Sequence, residues 1–417
     1  MDTLLTLNAG SSSVRFALFP AANPRVPTLS GMADHLESAG FRLTVKGGGS
    51  RAHAVYPMEG PVAESLLDWL MARDEFKGVQ AVGHRIVHGM QHSGPAWVTE
   101  ELLAELNGIR AYAPEHLPCE IRLMEAVRRR CPDLRQLACF DTAFHRTLPR
   151  VATLIPLPRR YETEGIQRYG FHGLSYAYLI QELATLGDVA ATHGRVLLAH
   201  LGNGASLAAV RDGKSIDTSM GFTPASGLPM GTRSGDLDPG VFGRLAAQGG
   251  MTAAQIDWMV NHESGLLGLS GISSDMRDLL AQEGANGRAA DAVELFCYQT
   301  RKWIGAFAAV LGGLDTLVFS GGIGENCPSV RWRICAELGF LGVELDPVRN
   351  AQAPGVISSE NSRVSVRVIC TDEELTMARL MAETLQPDLV SGPSRGSAPS
   401  ALAPLQYPPT SSPTHFP

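Results

Sequence analysis

Two arginines sit in company that a structural arginine does not need. Arg85 lies in Gly83-His84-Arg85-Ile86-Val87-His88-Gly89, and Arg233 in Met230-Gly231-Thr232-Arg233-Ser234-Gly235-Asp236-Leu237-Asp238. A planar guanidinium grips a carboxylate or phosphate through two parallel hydrogen bonds. For Arg85 alone a surface salt bridge is the plainer alternative. Arg233, between two glycines and close to two aspartates, makes a poor core or helix sequence, and anion binding is favoured. Asp141 follows an apolar run and reads equally as a helix N-cap or as a catalytic carboxylate. His172, in Arg168-Tyr169-Gly170-Phe171-His172-Gly173, is flanked by glycines that let backbone approach a ligand; a satisfied loop histidine is the alternative. His200-Leu201-Gly202-Asn203-Gly204 is either a plain hairpin or a turn whose amides face phosphate oxygens. Asp275, in Ser273-Ser274-Asp275-Met276-Arg277, caps a helix or holds a ribose.

The common nucleotide motifs fail. Gly213-Lys214-Ser215 has the end of a phosphate-binding loop, but Ala208 stands where its first glycine belongs, and Asp212-Gly213 reads as a hairpin turn. Gly202-Asn203-Gly204-Ala205-Ser206-Leu207 lacks the last glycine of a dinucleotide fingerprint, and Gly322-Ile323-Gly324 is followed three residues on by Cys327. His84, His88 and His92 would share a face on a helix and suggest zinc. Ile86, Val87 and glycines at 83, 89 and 94 argue against that helix.

The elements that must position these residues are strands ending in polar loops. Leu4–Leu7 and Val14–Phe19 flank Asn8-Ala9-Gly10-Ser11-Ser12-Ser13 as a hairpin. Further strands are expected at Gly78–Val82, Leu134–Phe140, Val196–His200, Ala205–Val210, Lys214–Thr218 and Leu314–Phe319. Helical spacing marks Pro61–Arg73, Asp291–Leu311 and Glu373–Leu385. The pattern occurs in two halves, with ligands expected in the cleft at the C-terminal strand ends. No short tandem repeat is visible.

At 417 residues the chain suits two domains of about 150–200 residues. With 44% apolar and 18% charged residues it is globular in composition, and a net charge of −7 argues against nucleic acid or an anionic membrane as partner. No run of about 18 apolar residues occurs, and the N-terminus does not resemble a signal peptide. Seven scattered cysteines without a Cys-x-x-Cys pair suit free thiols in a reducing cytoplasm. From Pro387 on, 8 of the last 31 residues are proline and 6 are serine, which predicts a disordered tail.

Together the motifs resemble the acetate kinase family. Leu7–Ser13, Gly83–Gly89, Phe140-Asp141-Thr142-Ala143-Phe144-His145, Arg168–Gly173, His200–Gly204, Met230–Arg233, Ser274–Arg277, Gly321-Gly322-Ile323-Gly324-Glu325-Asn326 and Thr371-Asp372-Glu373-Glu374-Leu375 match in order across roughly residues 3–386. The resemblance implies an α/β fold of two halves, the sugar kinase–Hsp70–actin type with a duplicated ribonuclease H-like core. It divides the chain into 1–145, completed by a last helix 373–386, and a nucleotide-binding domain 146–372, with 387–417 outside. It implies phosphoryl transfer between ATP and acetate in a cytoplasmic homodimer, with Mg²⁺ (or Mn²⁺) as cofactor; propionate or butyrate is the alternative acid. A nucleotide-binding protein with no acyl acceptor is the rival from another class.

By position, the resemblance implies that Asn8 and Glu373 hold the metal and that Arg85, Val87 and Pro224 bind the acid. Asp141, His172 and Arg233 would be catalytic. Arg15, His200, Leu201, Gly202, Asn203 and Gly204 would meet the phosphates, and Asp275, Met276, Arg277, Gly322, Ile323, Gly324, Glu325 and Asn326 the nucleoside. The sequence departs from the family pattern at Arg15 (usually lysine), Met90 (glycine), Glu115 (leucine, beside the expected acyl pocket), Tyr176 (histidine) and Ser226 (glutamate).

Overall fold

The structure, a computed structural model, describes residues 2–10, 13–34, 40–47, 54–187 and 193–390. Ser11 and Ser12 at the first hairpin tip, and 391–417 of the proline-rich tail, lie outside the described residues.

Two sheets carry the fold. The first contains β1 (Thr3–Ala9), β2 (Ser13–Pro20), β3 (Leu29–Asp34), β4 (Gly40–Gly47), β5 (Ala54–Glu59), β6 (Val79–Ile86), β7 (Ala96–Trp97) and β8 (Arg135–Phe140), in the order β5-β4-β3-β2-β1-β6-β8-β7. The second contains β9 (Arg195–Leu201), β10 (Ala205–Arg211), β11 (Lys214–Thr218), β12 (Thr316–Ser320), β13 (Gly355–Val356) and β14 (Ser365–Val368), in the order β11-β10-β9-β12-β14-β13. Each centre has one plan: an antiparallel meander whose first strand pairs in parallel with a later strand, which in turn pairs in parallel with a third. It is β3-β2-β1-β6-β8 in the first sheet and β11-β10-β9-β12-β14 in the second. This is the duplicated α/β core of the sugar kinase–Hsp70–actin type.

Helices cover both faces of the central strands, which is why β1, β9, β10 and β12 are buried on both sides, whereas β4 and β5 alternate more buried with more exposed residues. α1 (Val62–Met71) and α2 (Leu117–Arg130) cover one face of the first sheet through Leu66, Leu67, Leu70, Leu123 and Val127. α3 (Gly173–Thr185) packs Tyr176, Leu179 and Leu183 on the second sheet, while its Leu174 reaches the first. α4 (Gly287–Leu311) packs Val293, Phe296, Ile304 and Phe307 on the opposite face of the second sheet. The short α5 (Gly321–Asn326) follows β12, and α6 (Glu373–Val390) returns to the first sheet, burying Leu375, Ala378 and Met381.

Three local expectations change. The strand expected at Gly78–Val82 runs on to Ile86 because Gly83 to Ile86 pair with Leu137 to Phe140; His84 and Arg85 therefore stand on a strand. The polar segment after β12 is helical. The last helix continues through Pro387 to Val390. A proline costs a helix the hydrogen bond four residues back, so composition alone suggested a stop there. At Asp212-Gly213 both φ angles are positive, 52° and 70°, as a type I′ turn requires.

Candidate active site

The C-terminal ends of β1, β6, β9 and β12 open into a cleft of about 430 Å³. Asn8, Arg15, Arg85, His172, His200, Gly202, Asn203, Gly204, Gly322, Glu325 and Glu373 are among its lining residues. Residues far apart in sequence meet there because Asn8, Arg85 and the turn after His200 lie at the ends of strands paired in parallel, while Arg15 comes from antiparallel β2 and His172 from the start of a helix.

Arg85 is the hub on the first sheet. Its Nη2 donates to Asp141 Oδ2 at 2.6 Å and its Nε to the same oxygen at 3.1 Å, while Glu373 Oε2 lies 3.7 Å from Nε. Asp141 is fully buried, with Oδ1 unpartnered. It does not cap a helix: the short turn Ala143–Thr147 begins at Thr142. Burial alone would lower the pKa of Arg85, but Asp141 and Glu373 outweigh it and keep the guanidinium charged. Burial likewise raises Glu373, yet Arg85, His200, Asn8 and Arg15 hold it below the usual carboxylate range.

Asn8 Nδ2 donates to Glu373 Oε2 at 2.9 Å and to Glu374 Oε1 at 3.0 Å. Two carboxylates and one amide at the cleft form a hard-oxygen set of the kind Mg²⁺ takes, with water and phosphate oxygens completing six ligands. A half-turn of the Asn8 amide presents its oxygen, so the residues fit such an ion. The histidine row makes no such set. His84 bonds Gln136 at 2.8 Å, His88 sits among Tyr112, Tyr169 and Phe171, and His92 stacks on Phe140.

On the second sheet, His172 starts α3 with a positive φ of 59°. Its ring stacks on His200 with centroids 4.2 Å apart, and its Nδ1 lies 2.8 Å from Ser206 Oγ. The Tyr176 hydroxyl is 2.5 Å from the same Ser206 oxygen. A Tyr176-to-Ser206-to-Nδ1 chain of donation leaves the proton of His172 on Nε2. Burial, then His200, Arg85 and Arg233, hold the imidazole neutral, well below its usual pKa. A Cβ placed on Gly204 would stand 3.2 Å from His172 Nε2 and 3.6 Å from Arg233 Nη1. Both donors therefore converge on that turn. Tyr176→Phe breaks the relay and should lower turnover several-fold, about 1 kcal/mol, with nucleotide KM unchanged; steady-state kinetics against ATP and acid checks it.

Gly173 explains itself by crowding: a Cβ there would fall 2.0 Å from the Asp141 carbonyl oxygen. The glycine lets α3 start directly against the end of β8.

Arg233 reaches the cleft from a loop laced to the hairpin by Gly231 N–H to Asn203 O at 3.0 Å. Its Nη1 donates to the Pro224 carbonyl at 3.2 Å, and among the described residues it has no carboxylate partner. Burial and repulsion by Arg85 lower its pKa, and Glu115 acts in the opposite direction. Glu115 is partly exposed and pairs with His262 at 3.2 Å. The carboxylate at position 115 thus turns to a histidine far along the chain.

Other expected site residues divide. Val87 is buried in the same apolar cluster as Phe171. Leu201, Met276 and Ile323 turn their side chains into that core too, so a ligand would meet only their backbone. Gly202 N–H is already bonded to Gly204 O at 2.9 Å. Glu325 accepts from Gly321 N at 2.9 Å and Thr371 N at 3.1 Å, tying α5 to the approach of α6, and Asn326 Nδ2 donates to Gly322 O. Gly324 is buried, whereas Gly322 is open. Asp275 caps the helix Met276–Gln282 and pairs with Arg277; neither lines the cleft.

The sequence reading missed Ser175, Ser206 and Thr371, whose hydroxyls fix the two histidines directly or in relay, and Glu374. Serines and threonines of this kind carry no pattern. It also missed Glu120, for which a signal existed: a carboxylate among the helically spaced apolar residues Leu117, Ile121 and Met124.

Comparison with known proteins gives the chain a family. Residues 3–379 match the model of the acetokinase family. The acetate kinase of Rhodopseudomonas palustris (strain TIE-1) is 46% identical over 394 residues, 91% of this chain and 97% of the relative. The crystal structure of a propionate kinase from Francisella tularensis subsp. tularensis SCHU S4 superposes with a TM-score of 0.84 at 35% identity, over 91% of this chain and 99% of that one. The Porphyromonas gingivalis acetate kinase crystal structure gives 0.83 at 35% identity, over 93% and 100%. Two α/β sheets, a cleft that draws polar and charged residues from both, and a match along nearly the whole chain lead to one conclusion: this chain belongs to the acetokinase family.

Proposed function

We propose that the protein reversibly transfers the γ-phosphoryl group of ATP to acetate, giving ADP and acetyl phosphate. The observation that carries this reading is Arg233, a half-buried guanidinium with no carboxylate partner among the described residues, directed to the same turn as His172 across the cleft from Arg85. Such a cationic surplus is what a transferring phosphoryl needs, since its charge spreads over the equatorial oxygens and catalysis is mainly positioning and electrostatics. An acetate oxygen attacks the γ-phosphorus while the bond to the ADP oxygen breaks. The acid needs no base, because a carboxylic acid of pKa about 4–5 is already ionised at neutral pH.

In this reading Arg85 and Arg233 hold the acid and the migrating group, with Val87 and Pro224 as walls for the methyl. His172 donates from Nε2 to the phosphoryl, and Asp141 positions Arg85. Arg15, His200 and the 201–204 turn meet the phosphates; residues 275–277 and 322–326 take the nucleoside. Asn8 and Glu373 would hold Mg²⁺, which neutralises phosphate charge when bound. The first half then serves the acid and metal, and the second the nucleotide. A cytoplasmic homodimer completes the proposal: the helix Pro239–Gly249 buries none of its own residues and exposes Val241 and Phe242, a face suited to a second copy.

The test is trapping of acyl phosphate with hydroxylamine, using purified protein, ATP and Mg²⁺ with acetate, propionate or butyrate. Acetate turnover, abolished by EDTA and restored by Mg²⁺, is expected. Preference for propionate would reassign the acid, and no acyl phosphate from any acid would overturn the kinase reading.

A further inference from the structure

Glu120 is a carboxylate on the buried, otherwise apolar face of its helix. It lies in the first turn of α2, beside Leu117, Ile121 and Met124, and is only 1% exposed. A carboxyl group is costly to bury unless something binds it. Both of its oxygens face one donor, the Val87 N–H, at 3.2 and 3.1 Å. Val87 is the first residue beyond β6, where the sheet's ladder no longer supplies an acceptor. Two residues earlier on that strand stands Arg85.

We infer that Glu120 is a positioning residue for acid binding: its carboxyl clamps the Val87 N–H and so fixes the backbone from Arg85 to Val87. This rests on the kinase reading above, in which those two residues meet the substrate's carboxylate and acyl group.

The protonation state of the clamp matters because of what faces it. From β6 it sees Arg85, from the end of β8 it sees Asp141, and on its own helix Cys119. Burial raises its pKa to about 8, against the pull of Arg85 and of the Val87 N–H and with the help of Asp141. Below that pH the clamp is a neutral acid and leaves the charge of Arg85 to the substrate. Above it, a negative charge beside Arg85 competes with the incoming carboxylate. The KM for the acid should therefore rise as pH increases through about 8, while nucleotide KM and kcat change little. If acid binding raises the Glu120 pKa by one unit, the full effect is roughly tenfold.

Acetate KM, ATP KM and kcat measured from neutral to alkaline pH for the wild type, Glu120→Gln and Glu120→Ala test this. The amide keeps an acceptor for Val87 and cannot ionise, so Glu120→Gln should match the wild-type acetate KM at neutral pH and lose the alkaline rise. Glu120→Ala should show a raised acetate KM at every pH, with ATP KM unchanged. An alkaline rise that persists in Glu120→Gln, a flat wild-type profile, or a wild-type KM in Glu120→Ala would each overturn the inference. Wild-type protein that binds ATP but forms no acyl phosphate would sink the kinase reading itself, and this inference with it.

Discussion

Arg233→Ala should lower kcat by on the order of a hundredfold to a thousandfold, about 2.7–4 kcal/mol of barrier. Arg233 has no carboxylate partner among the described residues, and its guanidinium converges with His172 Nε2 beside Gly204. Its benefit therefore belongs to the state in which phosphoryl charge has developed, and turnover should fall further than ATP affinity. Arg233→Lys should recover little, because a point charge does not replace a planar fork held by the Pro224 carbonyl. Equal loss in ATP affinity and turnover would instead make Arg233 a simple ground-state anchor. Acyl phosphate formation under saturating ATP and acetate, with nucleotide affinity measured separately, distinguishes the two.

Asp141→Ala is expected to have the largest effect on stability. Asp141 takes the two shortest of the four hydrogen bonds that the Arg85 guanidinium donates, and it is wholly buried while the Arg85 side chain is 12% exposed. Removing one partner of a buried ion pair leaves an uncompensated charge and costs about 3–5 kcal/mol. Glu373, 3.7 Å from Arg85 Nε, should draw the freed guanidinium toward the cleft's polar end and away from Val87. The variant should thus unfold at lower denaturant and lose affinity for the acid as well. Asp141→Ala in an Arg85→Ala background should cost much less than in the wild type, since no buried cation is stranded. Additive losses across that cycle would show that Asp141 acts independently of Arg85.

Both predictions depend on contacts that sequence separation hides. Arg85, Asp141 and Glu373 were each singled out as residues, but that one guanidinium lies between two carboxylates follows only from the parallel pairing of β6 with β8 and the return of α6 to the first sheet. Glu115 was marked as a carboxylate beside an acyl pocket; its partner is His262, on a segment no local pattern connects to it. Tyr176 was marked as a departure from the family pattern, and its position in the relay to His172 becomes visible only once β10 brings Ser206 between them. The two halves were legible as a recurring strand–loop pattern but their common strand order was not, because that order depends on which apolar faces pack together, and many sequences satisfy the same packing.

What the sequence determined by itself was local or cumulative. The Asp212-Gly213 turn, the glycine-flanked His172 and the short apolar strands are set by steric preferences acting within a few residues. The ordered motifs along nearly the whole chain specified the family because their coincidence in one order is improbable. Tertiary structure alone decided which side chains are buried and which face the same cavity. It set Glu120 under Val87, left Arg233 without a carboxylate among the described residues and turned Met276 and Leu201 into the core. Burial and charge compensation are properties of a residue's surroundings in space, and those surroundings come from strands and helices distant along the chain.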